Sequence, residues 1–515
     1  MKSFQFQKIT KKILPYAFFC GLILLFSYRA PLTGGDLLLS ARVEQGGIGI
    51  WFQETGASGG NYLSALLGAV MVDIPVLYHL LFAAMMSVAL ITLVFFCDAQ
   101  RPYMYFVILF LGLGAPAGIF AYSFTRAAGA ATVMIPAFLA LLHMFTVADL
   151  FVYKGQKKVW KIPFLFLSGF AVQMFSESIG IALFLVSLVC LILLWKRYGF
   201  SWHLASHCFG CIGGLTLSLI LSGSHDAFVG SFYAMVDQFA GALDQLFIEN
   251  LLLMGVLTLS CLLLIQPIRS ERSKNCNITL CLLLISLGLF AVLNVANDFM
   301  VAFSTIYRVL TILKLIAALA YCLGVLRTIQ HYVSKDKVIY RGKYAFLTVW
   351  IFIIVYGFTG TALPNMLYIP YLLLAGVTGL LLGYSFRHYD RMEKVIRKPL
   401  LFAAIAGVLA LSLITISNGS YWEVVDTHTK ESLNAGNTKI VLPIAPFEER
   451  LAPTDYEVLS QYYNFPNYGE VELVYVPYKS WDWKTYYEAH NIPVIEEYDE
   501  KKEKEDEWAF ELEEE

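Results

Sequence analysis

Apolar runs of roughly bilayer-spanning length recur along most of this chain, and they limit the folds that it can adopt. A helix that crosses about 30 Å of hydrocarbon needs about 20 apolar residues. Runs of that kind, some of them shorter, lie near residues 13–28, 75–97, 103–124, 129–151, 162–175, 179–195, 204–222, 249–267, 277–296, 308–326, 344–361, 368–385 and 399–417. Hydrophobic residues make up 58% of the 515 residues. We therefore predict an all-α polytopic membrane protein with about thirteen transmembrane helices.

Basic residues between the runs predict how the chain is oriented. One set of connecting segments holds most of them, among them Lys2 to Lys12, Lys154 to Lys161, Arg269 to Lys274, Arg327 to Lys343 and Arg387 to Lys398. The other set holds only Arg29, Arg42, Arg126 and Arg308. Because positive charge is retained on the cytoplasmic side, we predict a multi-pass cell-membrane protein with a cytoplasmic N-terminus. Its long outer loops are then 29–74 and 223–248, and the C-terminal region is extracytoplasmic.

One acid interrupts about 34 continuous apolar residues. Glu177 lies in "MFSESIG", between lysines 157, 158 and 161 on one side and Lys196 and Arg197 on the other. Positive charge at both ends favours a hairpin over one long helix, with Glu177 at its tip. An unpaired charge within a span costs about 2.5–3.5 kcal/mol, so Glu177 needs a partner or a function.

A second acid follows the first apolar run. In "PLTGGDLLLSARVEQ" the glycines turn the chain, and the apolar positions after Asp36 predict a short amphipathic helix in the membrane interface. Asp36 is then in the first turn of that helix, where an acid also serves as a simple cap. Glu44 is on the same helix, at the same predicted outer level.

The many helices, the acid in "GGDLLLSARVEQGG", the acid in "FSESIGI" and an outer C-terminal region resemble the GT-C superfamily of integral-membrane glycosyltransferases, in particular uncharacterised bacterial members. The resemblance implies an enzyme that moves a sugar from a polyprenyl-phosphate donor to a cell-envelope glycan or glycolipid acceptor on the outer face. Its partners would be that donor, that acceptor and membrane lipids. The expected chemistry is inverting, with no metal and no cofactor.

The resemblance also suggests roles for particular residues. Asp36 and Glu177 are the catalytic candidates, with Asp36 accepting the proton of the acceptor hydroxyl. Arg126 and Arg308 suit the phosphate of the leaving group, because guanidinium groups pair with phosphate oxygens. Glu44 and Asp298 complete the substrate-binding candidates. Structural alternatives stay open, since arginines near helix ends often reach to headgroups and Arg308 also has Asp298 as a pairing partner.

Nine cysteines occur, all in or beside apolar runs. Cys208 and Cys211 form a CxxC, but its apolar setting favours ordinary packing and we assign it no role. The formal net charge of −2 gives no sign of a nucleic-acid partner.

The composition becomes polar after residue 417. Residues 1–417 are predicted as the membrane domain, 418–495 as a small extracytoplasmic α+β domain, and 496–515 as an acidic disordered tail. "TKIVLPI" and "GEVELVYVPY" are typical of strands, and "TDYEVLSQYY" and "SWDWKTYYEAH" of helices.

Three other functions remain open. A transporter or flippase of lipid-linked saccharides favours broken helices and charges at mid-membrane. Here most acids are predicted at the outer ends of helices, and Lys314 is the main charge inside a run. The sequence separates a polysaccharide polymerase poorly from a transferase, and a non-catalytic envelope scaffold would leave Asp36, Glu177 and Arg126 free to vary.

Overall fold

Helices account for nearly all of the described structure. The computed structural model describes residues 17, 20–25, 27–28, 34–56, 62–97, 101–124, 130–151, 158–222, 232–265, 274–297, 305–333, 337–359, 364–447, 454–463 and 471–490. The helices are α1 (Gly34–Gly56), α2 (Tyr62–Asp73), α3 (Pro75–Phe96), α4 (Pro102–Leu113), α5 (Ala117–Phe124), α6 (Ile135–Phe151), α7 (Lys161–Phe175), α8 (Glu177–Tyr198), α9 (Trp202–Ser222), α10 (Phe232–Leu243), α11 (Leu251–Ile265), α12 (Lys274–Asn297), α13 (Thr305–Val333), α14 (Lys337–Thr359), α15 (Tyr368–His388), α16 (Asp390–Asn434), α17 (Thr454–Tyr463) and α18 (Trp483–Ala489). Short π-helical segments precede α6 (Ala130–Met134) and follow α10 (Asp244–Ile248), and a 3-10 turn (Pro364–Leu367) precedes α15.

Nine helices in the described part of the chain are long and apolar enough to span a membrane. They are Pro75–Phe96, Ala130–Val147, Glu177–Lys196, Trp202–Ile220, Cys276–Ala296, Val309–His331, Arg341–Thr359, Tyr368–His388 and Glu393–Asn434. A tenth span results if Ala234–Ile248 and Leu251–Ile265, which bend by 64° at their junction, are counted as one. The polytopic helical fold is thus as predicted, whereas the count of thirteen stays a prediction.

Two of the remaining predicted runs form shorter helices. The run at 103–124 is divided into α4 and α5 at Gly114–Pro116, where Pro116 lacks the N–H that a continuous helix would need. The run at 162–175 is α7, which has only 15 residues. Most of the run at 13–28 lies outside the described residues.

The predicted hairpin at Glu177 is confirmed. Ser176 is extended and separates α7 from α8. The chain reverses at this point, as shown by the hydrogen bond of 3.0 Å that Gln173 Nε2 donates to the Gly180 carbonyl across the turn. Helix α9 runs parallel to α7, as the contacts of Ser206 with the Ile162 carbonyl and of His203 with the Lys158 carbonyl show. Helices α7, α8 and α9 therefore form a group in which each helix packs against the other two.

The two ends of the bundle can be named from their contacts. At the end that we call the basic end, Arg101 pairs with Glu393, and Tyr103 donates a hydrogen bond of 2.8 Å to the same carboxylate. Arg341 at this end donates to the last carbonyls of α3, those of Phe95 and Phe96. The opposite end carries Asp36 in the first turn of α1, and we call it the Asp36 end.

The polar C-terminal region packs around its own hydrophobic cluster. The predicted strands are confirmed as β1 (Lys439–Pro443) and β2 (Glu472–Val476), which pair in parallel with Lys439 opposite Glu472. Both predicted helices are present as α17 and α18. The cluster holds Tyr421, Trp422, Val425, Ile440, Leu442, Ala445, Leu459, Tyr463 and Val471. We refer to residues 421–490, where described, as the C-terminal unit.

Helix α16 joins this unit to the bundle. It runs for 45 residues, and it passes residues 417 and 418 without a break. The predicted boundary between membrane domain and C-terminal domain therefore falls inside a continuous helix. A polar composition alone does not end a helix when its buried face continues, as Tyr421, Trp422 and Val425 do here.

Candidate functional site

Asp36 lies in the first turn of α1 and has no exposed surface. Helix α1 begins at Gly34, as predicted, and is broken at Gly47, whose φ of 71° suits glycine. Its apolar residues pack against two other parts of the protein. Leu37 packs against the hydrophobic cluster of the C-terminal unit, and Val43 packs against Ala69 of α2. The helix is therefore held between the membrane bundle and the C-terminal unit.

Three further polar side chains lie beside Asp36, and sequence reasoning missed them. The Asp36 carboxylate interacts electrostatically with the hydroxyl of Tyr78, which also hydrogen-bonds Ser27. Ser27 Oγ is in turn 3.0 Å from Nδ1 of His79. Ser27, Asp36 and Tyr78 are buried, while His79 is half-buried. We call these four residues the Asp36 cluster. The polar pair Tyr78-His79 within an apolar run is the sequence signal that could have revealed it.

The structure separates Asp36 from Glu44. Glu44 is exposed on the same helix, whereas Asp36 is buried. Burial of an acid is unfavourable unless it has partners, so the two acids have different roles although they share a helix. The substrate-binding role predicted for Glu44 stays a prediction.

Glu177 occupies the predicted position at the hairpin tip. It is the first residue of α8 and is half-buried. Its neighbour Ser176 has its Oγ 3.8 Å from the sulfur of Met366, in the turn before α15. Arg126 and Asp298 lie outside the described residues, and so does the side chain of Arg308, whose backbone is in α13. The phosphate contact predicted for Arg126 and Arg308 stays a prediction, and so does the substrate-binding role of Asp298.

The predicted outer loop 223–248 is helical from residue 232 onward. The π-helical segment at its end carries Asp244 to Lys314 of the apolar helix α13, where the Lys314 ammonium donates to the carboxylate at 2.6 Å. The Lys314 side chain is 6% exposed and the Asp244 side chain is 18% exposed, so both are largely buried. Asp244 is therefore largely buried within a helical segment of the bundle, although the sequence placed it in the outer loop 223–248. Lys314 is buried, and a buried charge is unfavourable without a partner, so the Asp244 carboxylate pairs with it. The sequence pattern, which assigned this segment to a loop, did not indicate that pairing.

Two breaks in helices meet at a cavity of about 370 Å³. One break is Gly114–Pro116 between α4 and α5, and the other is the bend at Glu249 and Asn250 before α11. Among the described residues, the side-chain nitrogen of Asn250 has no hydrogen-bond partner although it is buried. Polar groups at broken helices are a common way to build a binding site inside a membrane bundle.

No family model matches the sequence, and no curated protein or solved structure matches it. The function of this chain must therefore be inferred from its own residues. The Asp36 cluster and the cavity between the broken helices are the two candidate sites for the function predicted from sequence.

One cysteine of the CxxC motif lies in a group of possible metal ligands, although the sequence assigned the motif no role. Cys211 lies with two buried histidines, His143 of α6 and His207 of its own helix, and the possible ligand atoms of the three residues all lie within 4.8 Å of one another. His207 and Cys211 are four residues apart, so they share one helix face. That spacing, and a histidine in a separate apolar run, could have indicated the group.

Proposed function

We propose that this protein is a membrane glycosyltransferase that moves a sugar from a polyprenyl-phosphate donor to a cell-envelope glycan or glycolipid. The observation that carries the proposal is the burial of Asp36 at one end of a polytopic bundle, beneath the C-terminal unit and beside Tyr78. A buried carboxyl group beside an ionisable tyrosine hydroxyl is typical of an active site, where such surroundings suit a group to proton transfer. The GT-C resemblance described above supplies the substrate class.

In the proposed reaction, the Asp36 carboxylate takes the proton of the acceptor hydroxyl. The acceptor oxygen forms a bond to the anomeric carbon, and the bond from that carbon to the phosphate oxygen breaks on the opposite face. The electron pair leaves with the polyprenyl phosphate, and the configuration inverts. Because Asp36 is buried, the acceptor reaches it only when part of the surrounding structure moves, so binding and opening are coupled steps.

Replacement of Asp36 tests this proposal. We expect Asp36→Asn to lower the rate of sugar transfer by about 10²–10⁴-fold, the usual contribution of a general base. The measurement is transfer of labelled sugar from a panel of polyprenyl-phosphate sugars to an envelope extract, with purified protein in liposomes. Asp73→Asn is the matched control, since it makes the same chemical change at an exposed position at the end of α2.

Two results bear on the outcome. Full transfer by Asp36→Asn, at equal protein amount and equal thermal stability, would remove Asp36 from the role of base. A loss of transfer in both Asp36→Asn and Asp73→Asn would indicate that negative charge at this end of the bundle, rather than the Asp36 carboxylate itself, is required.

A second candidate function is transport of a lipid-linked saccharide between leaflets. It is favoured by the cavity between the two helix breaks and by the buried Asp244–Lys314 pair beside the bend. Charged pairs at broken helices are characteristic of transporters. In the same liposomes, movement of labelled lipid between leaflets without any sugar transfer would favour this function, and Lys314→Met should abolish that movement.

A further inference from the structure

Four helices bring polar side chains together inside the apolar bundle, in the half that lies toward the basic end. His143 is on α6, Ser168 on α7, Ser187 on α8, and both His207 and Cys211 are on α9. His143 and Cys211 have no exposed surface, and His207 is 2% exposed. We call His143, His207 and Cys211 the His–Cys cluster.

The hydrogen bonds of the cluster fix the tautomers of both histidines. Ser168 donates its only hydroxyl hydrogen to the Phe164 carbonyl at 2.7 Å, so it must accept from Nδ1 of His143, at 2.8 Å. The other ring nitrogen of His143, Nε2, then carries a lone pair. It accepts from Nδ1 of His207, at 2.6 Å. With both rings neutral, this arrangement has their hydrogens on Nδ1.

This network leaves donor atoms for a metal ion. Nε2 of His207 is buried, and the Ser187 backbone lies within hydrogen-bonding range of the same ring. Cys211 Sγ lies 3.9 Å from Nε2 of His143 and 3.2 Å from Ser187 Oγ. His143 reaches the arrangement usual for a metal ligand once the hydrogen bond from His207 is released: Nδ1 donates to Ser168, and Nε2 then coordinates.

Glycines create the space in which these atoms meet. A Cβ at Gly169 of α7 would lie 3.0 Å from both Cys211 Sγ and a ring carbon of His143. A Cβ at Gly210 would lie 2.4 Å from the Phe166 carbonyl oxygen, and one at Gly214 would lie 2.7 Å from that of Phe170. Gly210 and Gly214 have the four-residue spacing that lets membrane helices approach closely. Close packing of α7 and α9 thus gives Cys211 its access to His143.

We propose that His143, His207 and Cys211 bind one Cu(I) ion. The net charge of the site favours this ion among those that bind thiolate and imidazole. Two neutral imidazoles and one thiolate carry a charge of −1, so a monovalent cation leaves the site neutral. Zn²⁺ would leave a charge of +1 among apolar side chains, which is unfavourable, and it prefers a fourth ligand.

Binding exchanges one proton for one copper ion. The thiol of Cys211 loses its proton to solvent as its sulfur coordinates, and the oxidation state of the copper does not change. His207 coordinates through Nδ1 once its hydrogen moves to Nε2. The two facing nitrogens must then separate from 2.6 Å to roughly 3.5 Å, the spacing of two nitrogens each about 2.0 Å from a metal with three ligands at about 120°.

A path to the site is present. His207 lines a cavity of about 110 Å³ that also has the soft sulfur atoms of Met144 and Cys190 in its wall and Arg341 of the basic end beside it. Thioether and thiol groups are ligands for Cu(I). The cavity therefore connects the buried cluster with the basic end through groups that interact with the same ion.

The test measures Cu(I) affinity of the purified full chain under reducing, anaerobic conditions, by competition with a chromophoric Cu(I) chelator. We expect one equivalent to bind to the wild type. Cys211→Ser and His143→Asn should each weaken binding by more than about 100-fold, and Ser168→Ala by about 10–100-fold through loss of the hydrogen bond that orients His143. Cys208→Ser, on the same helix but outside the cluster, should bind as the wild type does.

X-ray absorption of the copper-loaded protein provides an independent readout that does not depend on variants folding. One sulfur and two nitrogen ligands are expected. Wild-type affinity in Cys211→Ser, or a sulfur-only ligand set, would overturn the proposed ligands. Binding of Zn²⁺ in preference to Cu(I) would overturn the assignment of the ion. None of these outcomes depends on sugar transfer, because the cluster and Asp36 lie in different halves of the bundle.

Discussion

At the scale of single residues, the buried ion pair of Asp244 and Lys314 is the clearest energetic feature of the bundle. Its atoms are 2.6 Å apart, and water has little access to either group. Removing one partner from such a pair leaves an uncompensated charge, whereas replacing both by apolar groups is often neutral. Each charge of the pair thus compensates the burial of the other.

We therefore expect Lys314→Met to destabilise the protein by about 3–5 kcal/mol, since the Asp244 carboxylate would remain buried without its cation. The double variant Asp244→Leu with Lys314→Met should regain most of that loss. Thermal unfolding in detergent measures both. If the double variant were as unstable as the single one, packing at these positions rather than charge would explain the effect.

At the scale of helices, the close approach of α9 to α7 depends on glycines of α9, which have no side chain. Gly210 faces the backbone of Phe166 directly, while Gly213 on the same helix has its nearest neighbouring atom, in Phe170, 4.0 Å from where a Cβ would lie. The two glycines differ only in what a methyl group would meet.

Gly210→Ala is expected to destabilise the protein by about 1–3 kcal/mol, because overpacking forces the two helices apart. Cu(I) binding should weaken as well, since Cys211 is the next residue. Gly213→Ala should leave both unchanged or raise stability slightly, given the better helix propensity of alanine. Equal melting temperatures and affinities for the two variants would contradict the close-packing explanation.

His490, which follows α18, attaches that helix to α16, together with ring contacts of His428 with Trp481 and Tyr486. His490 donates from Nδ1 to the Tyr486 carbonyl at 2.8 Å, and its Nε2 is 3.0 Å from the Glu431 carboxylate. The hydrogen bond to Tyr486 raises the pKa of His490 above 6.5, with burial opposing and Glu431 adding to the shift. A group whose pKa rises on folding contributes its full stabilisation below its unfolded pKa and loses it as the pH rises through the folded pKa.

We expect the attachment of α18 to weaken as the pH rises past the raised pKa of His490. An NMR titration of histidine ring signals, assigned with His490→Gln, measures that pKa directly. Glu431→Gln should lower it. An unchanged pKa in Glu431→Gln would show that the carboxylate is not part of the interaction.

At the scale of the whole molecule, the positive-inside pattern predicts that the C-terminal unit faces outward. Ser480 lies in an exposed turn of that unit, and Val159 is exposed beside α7 at the basic end. A membrane-impermeant maleimide added to intact cells should label Ser480→Cys and not Val159→Cys. Labelling of Val159→Cys alone would invert the orientation.

The sequence by itself determined the helical membrane class, the hairpin at Glu177, the start of α1 near Asp36, and the strands and helices of the C-terminal unit. Hydrophobic length, turn residues and capping patterns are local properties, so one segment is enough to read them. The burial that distinguishes Asp36 from Glu44 needed the tertiary structure, because both acids lie on one helix and differ only in what packs over them.

The tertiary structure alone decided which distant groups meet. Asp244 reaches Lys314 across 70 positions of sequence, and His143 reaches Cys211 across 68. Such contacts depend on how helices pack, and in a membrane the packing is set by small residues and polar partners rather than by hydrophobicity, which is similar on all sides of these helices. Apolar periodicity therefore revealed the helices, while close approach at Gly169 and Gly210 placed the His–Cys cluster.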